Sequence, residues 1–110
     1  MATESIRSGG LEYDAAWVRC RARTSFKPDE ALILIDARDV DQPLDFFVDS
    51  SLVRPDQLPR DHDVEGAVKV ILLGRENGAV VIEVLGEPLS FGPRFTVSDE
   101  LLTEAPVPVS

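Results

Sequence analysis

The chain has 110 residues, 44% hydrophobic and 28% charged, a composition that suits one globular domain and excludes a disordered one. Twenty Asp and Glu against eleven Lys and Arg leave a net charge of −9, which argues against binding nucleic acid through phosphate neutralisation. No run approaches the roughly 20 apolar residues of a membrane span, no basic and apolar leader opens the chain, and one cysteine, Cys20, excludes an internal disulfide. A cytoplasmic protein is expected, and the preference for Arg over Lys is compatible with a high-GC bacterial genome.

In chain order, residues 1–10 read as a flexible tail ending in Ser8-Gly9-Gly10. Residues 17–24 alternate, with apolar side chains at even positions and Arg19, Arg21 and Arg23 at odd ones, the signature of a strand with one face on a core. Lys27-Pro28-Asp29 marks a turn, residues 31–35 are continuously apolar and predict a central strand, and 36–43 form an acidic loop. A third strand is predicted at 44–48, followed by a short helical turn capped by Asp49-Ser50-Ser51. Residues 54–65, with two prolines and several acids, form a linker. Beyond it come a strand at 67–73, a hairpin turn on Asn77-Gly78, and its return at 79–85. A loop at 86–93, a strand at 95–97 and a helical turn from Ser98 to Leu102 complete the pattern. The two prolines of residues 105–110 keep the C-terminal tail from forming a helix.

The order strand, turn, strand, loop, strand, short helical turn occurs twice, over about 16–53 and 66–102. Residues 18–20 align with 68–70, 31–35 with 79–83, and 46–53 with 95–102. The expected fold is therefore all-β: a compact six-stranded barrel or two-sheet sandwich over 11–104, built from two three-stranded units that duplication would explain.

Candidate chemistry is sparse. Trp17, Arg19, Arg21 and Arg23 share one strand face, where an aromatic ring beside guanidinium groups can stack bases and hold phosphates of a single strand; the plainer reading is that the arginines pair with acids across the sheet. Asp61-His62-Asp63 with Glu65 offers carboxylates around an imidazole, but three consecutive extended residues diverge and no second His exists to complete a zinc site. Cys20 falls on the apolar face of its strand and reads as a structural thiol. Asp36, Asp39, Asp41 and Asp45 lack the Gly and Glu positions of a calcium loop. Phosphate-binding, dinucleotide and nucleophile-elbow motifs are all missing, so no metal or cofactor and no catalytic residues are expected.

These features favour a non-catalytic protein-interaction module of accessory, inhibitor or immunity type. Its acidic loops, carrying Asp36, Asp39, Asp41, Asp45, Asp61, Asp63 and Glu65, would meet a basic surface on a protein partner. The alternatives are a small β-barrel binding single-stranded nucleic acid through the Trp/Arg face, and an acidic mimic of nucleic acid. An open strand edge would also allow a homodimer.

Overall fold

The computed structural model describes residues 4–8, 10–35, 44–55, 57–85, 87–88 and 94–103. These build one antiparallel sheet that curls into a half-barrel, with no α-helix among the described residues. Six strands carry the frame: β2 (Leu11–Thr24), β3 (Glu30–Ile35), β4 (Leu44–Asp49), β6 (Val64–Glu76), β7 (Ala79–Glu83) and β9 (Arg94–Ser98). Four short ones complete it: β1 (Glu4–Ser8), β5 (Val53–Arg54), β8 (Glu87–Pro88) and β10 (Leu102–Thr103). The hydrogen-bonded order is β8-β4-β3-β2-β6-β7-β9, with β1 and β10 added to β2 and β5 added to β6.

Residues 4–8, expected in a tail, instead form β1, which folds back on β2 with Glu4 opposite Ala15 and Ser8 opposite Leu11. The reversal needs Gly10, whose φ of 83° lies in the left-handed region that side chains with a Cβ disfavour. The C-terminal tail and the loop 36–43 lie outside the described residues.

Side-chain alternation explains where the core sits. Val18, Cys20 and Ala22 of β2, Ala31, Ile33 and Ile35 of β3, and Phe46 and Val48 of β4 point into one cluster. Val68 and Val70, Val80 and Ile82, and Phe95 and Val97 meet them from the second half. The run at 31–35, continuously apolar in sequence, is thus buried only at its odd positions, while Leu32 and Leu34 are half-buried on the other face. Ala15, Trp17, Ala67 and Ile71 are buried too but lie outside that cluster. They occupy the opposite face of β2 and β6, where Ala15 is the cross-strand partner of Ile71.

The two halves pair under a two-fold relation. A shift of 50 residues carries β2 onto β6, and the β2–β6 register maps onto itself: Val18 faces Val68, while Trp17 opposite Lys69 has its image in Arg19 opposite Ala67. A shift of 49 carries the rest of the first half onto the second. Ile33 opposite Phe46 becomes Ile82 opposite Phe95, and Val53 on Val68 becomes Leu102 on Val18. Even the caps correspond. Asp49 accepts a hydrogen bond from the Ser51 amide before the 3₁₀ turn Ser50–Leu52, and Ser98 does the same for Glu100 before the 3₁₀ turn Asp99–Leu101. The sequence alignment of 31–35 with 79–83 is therefore one residue out; Ala31 corresponds to Val80. The extra residue sits in a bulge of β6, where pairing passes from Leu72–Ile82 to Gly74–Val81 and skips Leu73. The hairpin turn after it has both Asn77 and Gly78 at positive φ, as an Asn-Gly turn requires.

Candidate functional site

Part of the arginine stripe meets part of the acidic set across the β2–β6 pair. Since β2 and β6 run antiparallel, Arg21 lies directly opposite Glu65, and Arg23 reaches Asp63 with Nε 3.6 Å from Oδ1. That distance is an ion pair rather than a hydrogen bond, and Asp63 Oδ1 is closed to solvent with no hydrogen-bond donor among the described residues. Arg19 donates from Nη2 to the Glu100 carbonyl at 2.6 Å, tying the second 3₁₀ turn to the central strand. The arginine stripe is thus partly matched by acids across the sheet, a pattern that opposite charges on neighbouring strands favour modestly.

Trp17 shares the odd face with these arginines but is only 6% exposed. The Arg54 guanidinium lies 5.5 Å from its ring centre, and Arg54 Nη1 donates to the carbonyls of Val53 and Ser51 at 2.8 and 3.2 Å. The indole is therefore capped by β5, an element 37 positions further along the chain, and offers no open ring face on which a base would stack.

The segment after β5 is fixed at its middle: Thr24 donates from its amide to the Pro59 carbonyl at 2.8 Å and from its hydroxyl to the Leu58 carbonyl at 2.8 Å. Beyond that anchor the acids differ in setting. Asp61 is open to solvent and accepts from or pairs with His62 Nδ1 at 2.7 Å; that contact, with help from its own backbone amide, holds its carboxyl below the usual range. Asp63 is drawn in by Arg23, and Glu65 is exposed at the start of β6. Asp45 is half-buried on β4. Asp36, Asp39 and Asp41 lie outside the described residues. Among the described residues, no group of three or more His, Cys, Asp or Glu side chains converges in a way that could hold a metal ion.

Cys20 is 8% exposed within the core, and burial pushes its thiol up to about 12, so it carries almost no thiolate near neutrality. That is the opposite of what a nucleophile needs.

One residue that the sequence reading passed over stands out. Phe26, in the turn joining β2 to β3, is 100% exposed. Its turn is well built: Ser25 donates from its amide to the Glu30 carbonyl, Glu30 donates to that of Lys27, and the Asp29 carbonyl accepts from Ser50. The same turn adjoins the anchored segment, because Thr24, bound to Pro59, is two residues from Phe26. The available sequence signal was an aromatic residue inside an otherwise polar turn.

A second feature is a cleft of about 320 Å³ lined by Arg19, Cys20, Arg21, Leu34, Glu65, Gly66 and Leu101. Of these, only Arg19, Arg21 and Glu65 belong to the candidate sites read from the sequence. Comparison with protein-family models, with curated proteins and with solved structures finds no match.

Proposed function

We propose that this protein is a non-catalytic interaction module. It would recognise a protein partner with the end of the half-barrel formed by the β2–β3 turn and the segment 57–65. The observation that carries this reading is Phe26. A fully exposed aromatic ring on a hydrogen-bonded turn loses little conformational freedom on docking, and aromatic anchors of this kind supply much of the affinity of protein interfaces. Exposed acids lie along the adjoining segment, Asp61 and Glu65 among them, and they match a partner whose pocket for the ring is rimmed with Lys and Arg.

Several features favour this over chemistry. The one thiol is protonated in the core, and Asp61 and His62 pair with each other at the surface. The reading as a single-strand binder is less well supported, since its aromatic platform, Trp17, is covered by Arg54 and Arg23 is engaged by Asp63. The acidic-mimic reading predicts a partner that also binds DNA and is displaced from it.

The test is kinetic. A partner captured from the source lysate is titrated against the wild type and against the Asp61→Lys, Glu65→Lys double variant. Steering by the acids predicts association slowed by about tenfold at low salt, with the gap closing as salt rises. Equal association rates at low salt would remove the acids from the account.

A further inference from the structure

We infer that the cleft between β2, β3, β6 and the second 3₁₀ turn binds a small organic phosphate, a site that adjoins the partner surface proposed above and shares Glu65 with it. The two-fold relation gives each cleft residue a counterpart on the other half. The cleft residues Arg19, Arg21, Leu34, Glu65, Gly66 and Leu101 have as images Lys69, Ile71, Glu83, Ala15, Ala16 and Leu52. At the image position the face is closed. Ala15 and Ile71 are buried, β1 runs along Ala15, and Trp17 fills the neighbouring place with Arg54 across it. On the cleft side the counterpart of Trp17 is Ala67, and the counterpart of Arg54 is Thr103. One copy of the arrangement is thus plugged by an indole, and the other stays open and carries two arginines.

Those arginines suit a phosphate. Arg19 and Arg21 are two positions apart on one strand, so their side chains rise from the same face roughly 6.5–7 Å apart. Arg19 is held by its bond to the Glu100 carbonyl, which uses one of its five donors and leaves the others available. Arg21 has no hydrogen bond or ion pair with any other described residue. A carboxylate is satisfied by one guanidinium fork, whereas the terminal oxygens of a phosphate monoester can engage two. With Glu65 alongside, the site keeps one net positive charge in a protein whose overall charge is −9, so the local sign opposes the global one. Leu34 and Leu101 supply the apolar walls against which an organic body packs, and 320 Å³ lies at the small end of ligand sites, which span roughly 300–1,000 Å³.

The experiment is an amide-resolved NMR titration of the full chain with phenyl phosphate, with inorganic phosphate and phenol as separate arms. Phenyl phosphate is expected to shift the amides of Arg19, Cys20, Arg21, Glu65 and Gly66 saturably, with millimolar affinity on the order of that expected for a few contacts. Arg21→Gln should weaken it about tenfold or more through loss of a charge-assisted bond. Glu65→Gln, which removes a repelling carboxylate, should tighten it severalfold, and a site of merely structural charges would not respond that way. Inorganic phosphate should bind the same residues more weakly, and phenol should leave them unmoved. Absence of saturable shifts, or an Arg21→Gln variant with native spectrum and unchanged affinity, would overturn the site. Inorganic phosphate binding as tightly as phenyl phosphate would overturn its organic part.

Discussion

Gly66→Ala tests the packing of the two halves at a single atom. A Cβ at Gly66 would collide with the carbonyl oxygen of Arg54, with the Arg54 carbonyl carbon and Pro55 Cδ each at 3.4 Å. The obstacle is backbone, so it cannot rotate aside. Strand β5 must retreat from β6, loosening Val53 from Val68 and Arg54 from Ala67, and with them the guanidinium that caps Trp17. Overpacking that forces backbone shifts costs about 1–3 kcal/mol, and a weakened cross-strand hydrogen bond adds about 0.5–1.5 kcal/mol. The stiffer unfolded chain returns about 0.4–1 kcal/mol. The net expectation is a loss of about 1–3 kcal/mol. A domain of this size would then melt roughly 5–15 °C lower. Urea unfolding followed by Trp17 fluorescence and by circular dichroism measures the change as a shift of midpoint with unchanged slope. Gly74→Ala is the control, since a Cβ there meets nothing within 4 Å and the backbone is not left-handed. It should be neutral or up to about 1 kcal/mol stabilising. If Gly66→Ala unfolds with the wild type, the close approach of β5 to β6 is wrong.

Further outcomes follow from the same packing. Phe46→Ala removes a fully buried ring and should cost about 3–5 kcal/mol, measured by the same unfolding curves; a loss below 1 kcal/mol would contradict the core described. Cys20 should resist a disulfide reagent at pH 8 until denaturant is added, and rapid labelling of the native protein would refute its burial. Its folded-state pKa, about 12, lies above the ordinary thiol value, so the folded state holds the proton longer than the unfolded one. The resulting contribution to stability is intact below about pH 9 and lost as pH rises from there toward 12. Cys20→Ala should therefore show a shallower alkaline decline than the wild type. Trp17 should emit as a buried indole and resist acrylamide quenching in the native state, whereas emission like that of free tryptophan would put it back on the surface.

Local signals in the sequence carried most of the frame, because each depended on neighbours in the chain. Alternation placed Val18, Cys20 and Ala22 inward, Asn77-Gly78 made its hairpin, and Asp49 and Ser98 capped their turns. What depended on partners far along the chain was not legible. Residues 4–8 contain one apolar residue, Ile6, and become a strand only because the first half of β2 presents an open edge. Trp17 shares the parity of Arg19 and Arg21, and nothing near it in sequence announces that Arg54 will cover it. The recurring order of strands was legible, but the alignment of 31–35 with 79–83 slipped by one residue because a bulge at Leu73 leaves no compositional mark. The cleft draws Leu101 and Glu65 to Arg21 across the two-fold, so alternation alone showed only its arginine side.

The most direct test of the interaction account is capture from the source lysate on two immobilised baits, wild type and Phe26→Ser, side by side at low and moderate salt. The account predicts one basic protein retained by the wild type in near-equal amount and lost from Phe26→Ser, whose unfolding curve should match the wild type because the ring touches solvent alone. Retention of the same protein equally by both baits, or of nothing by either, would contradict it.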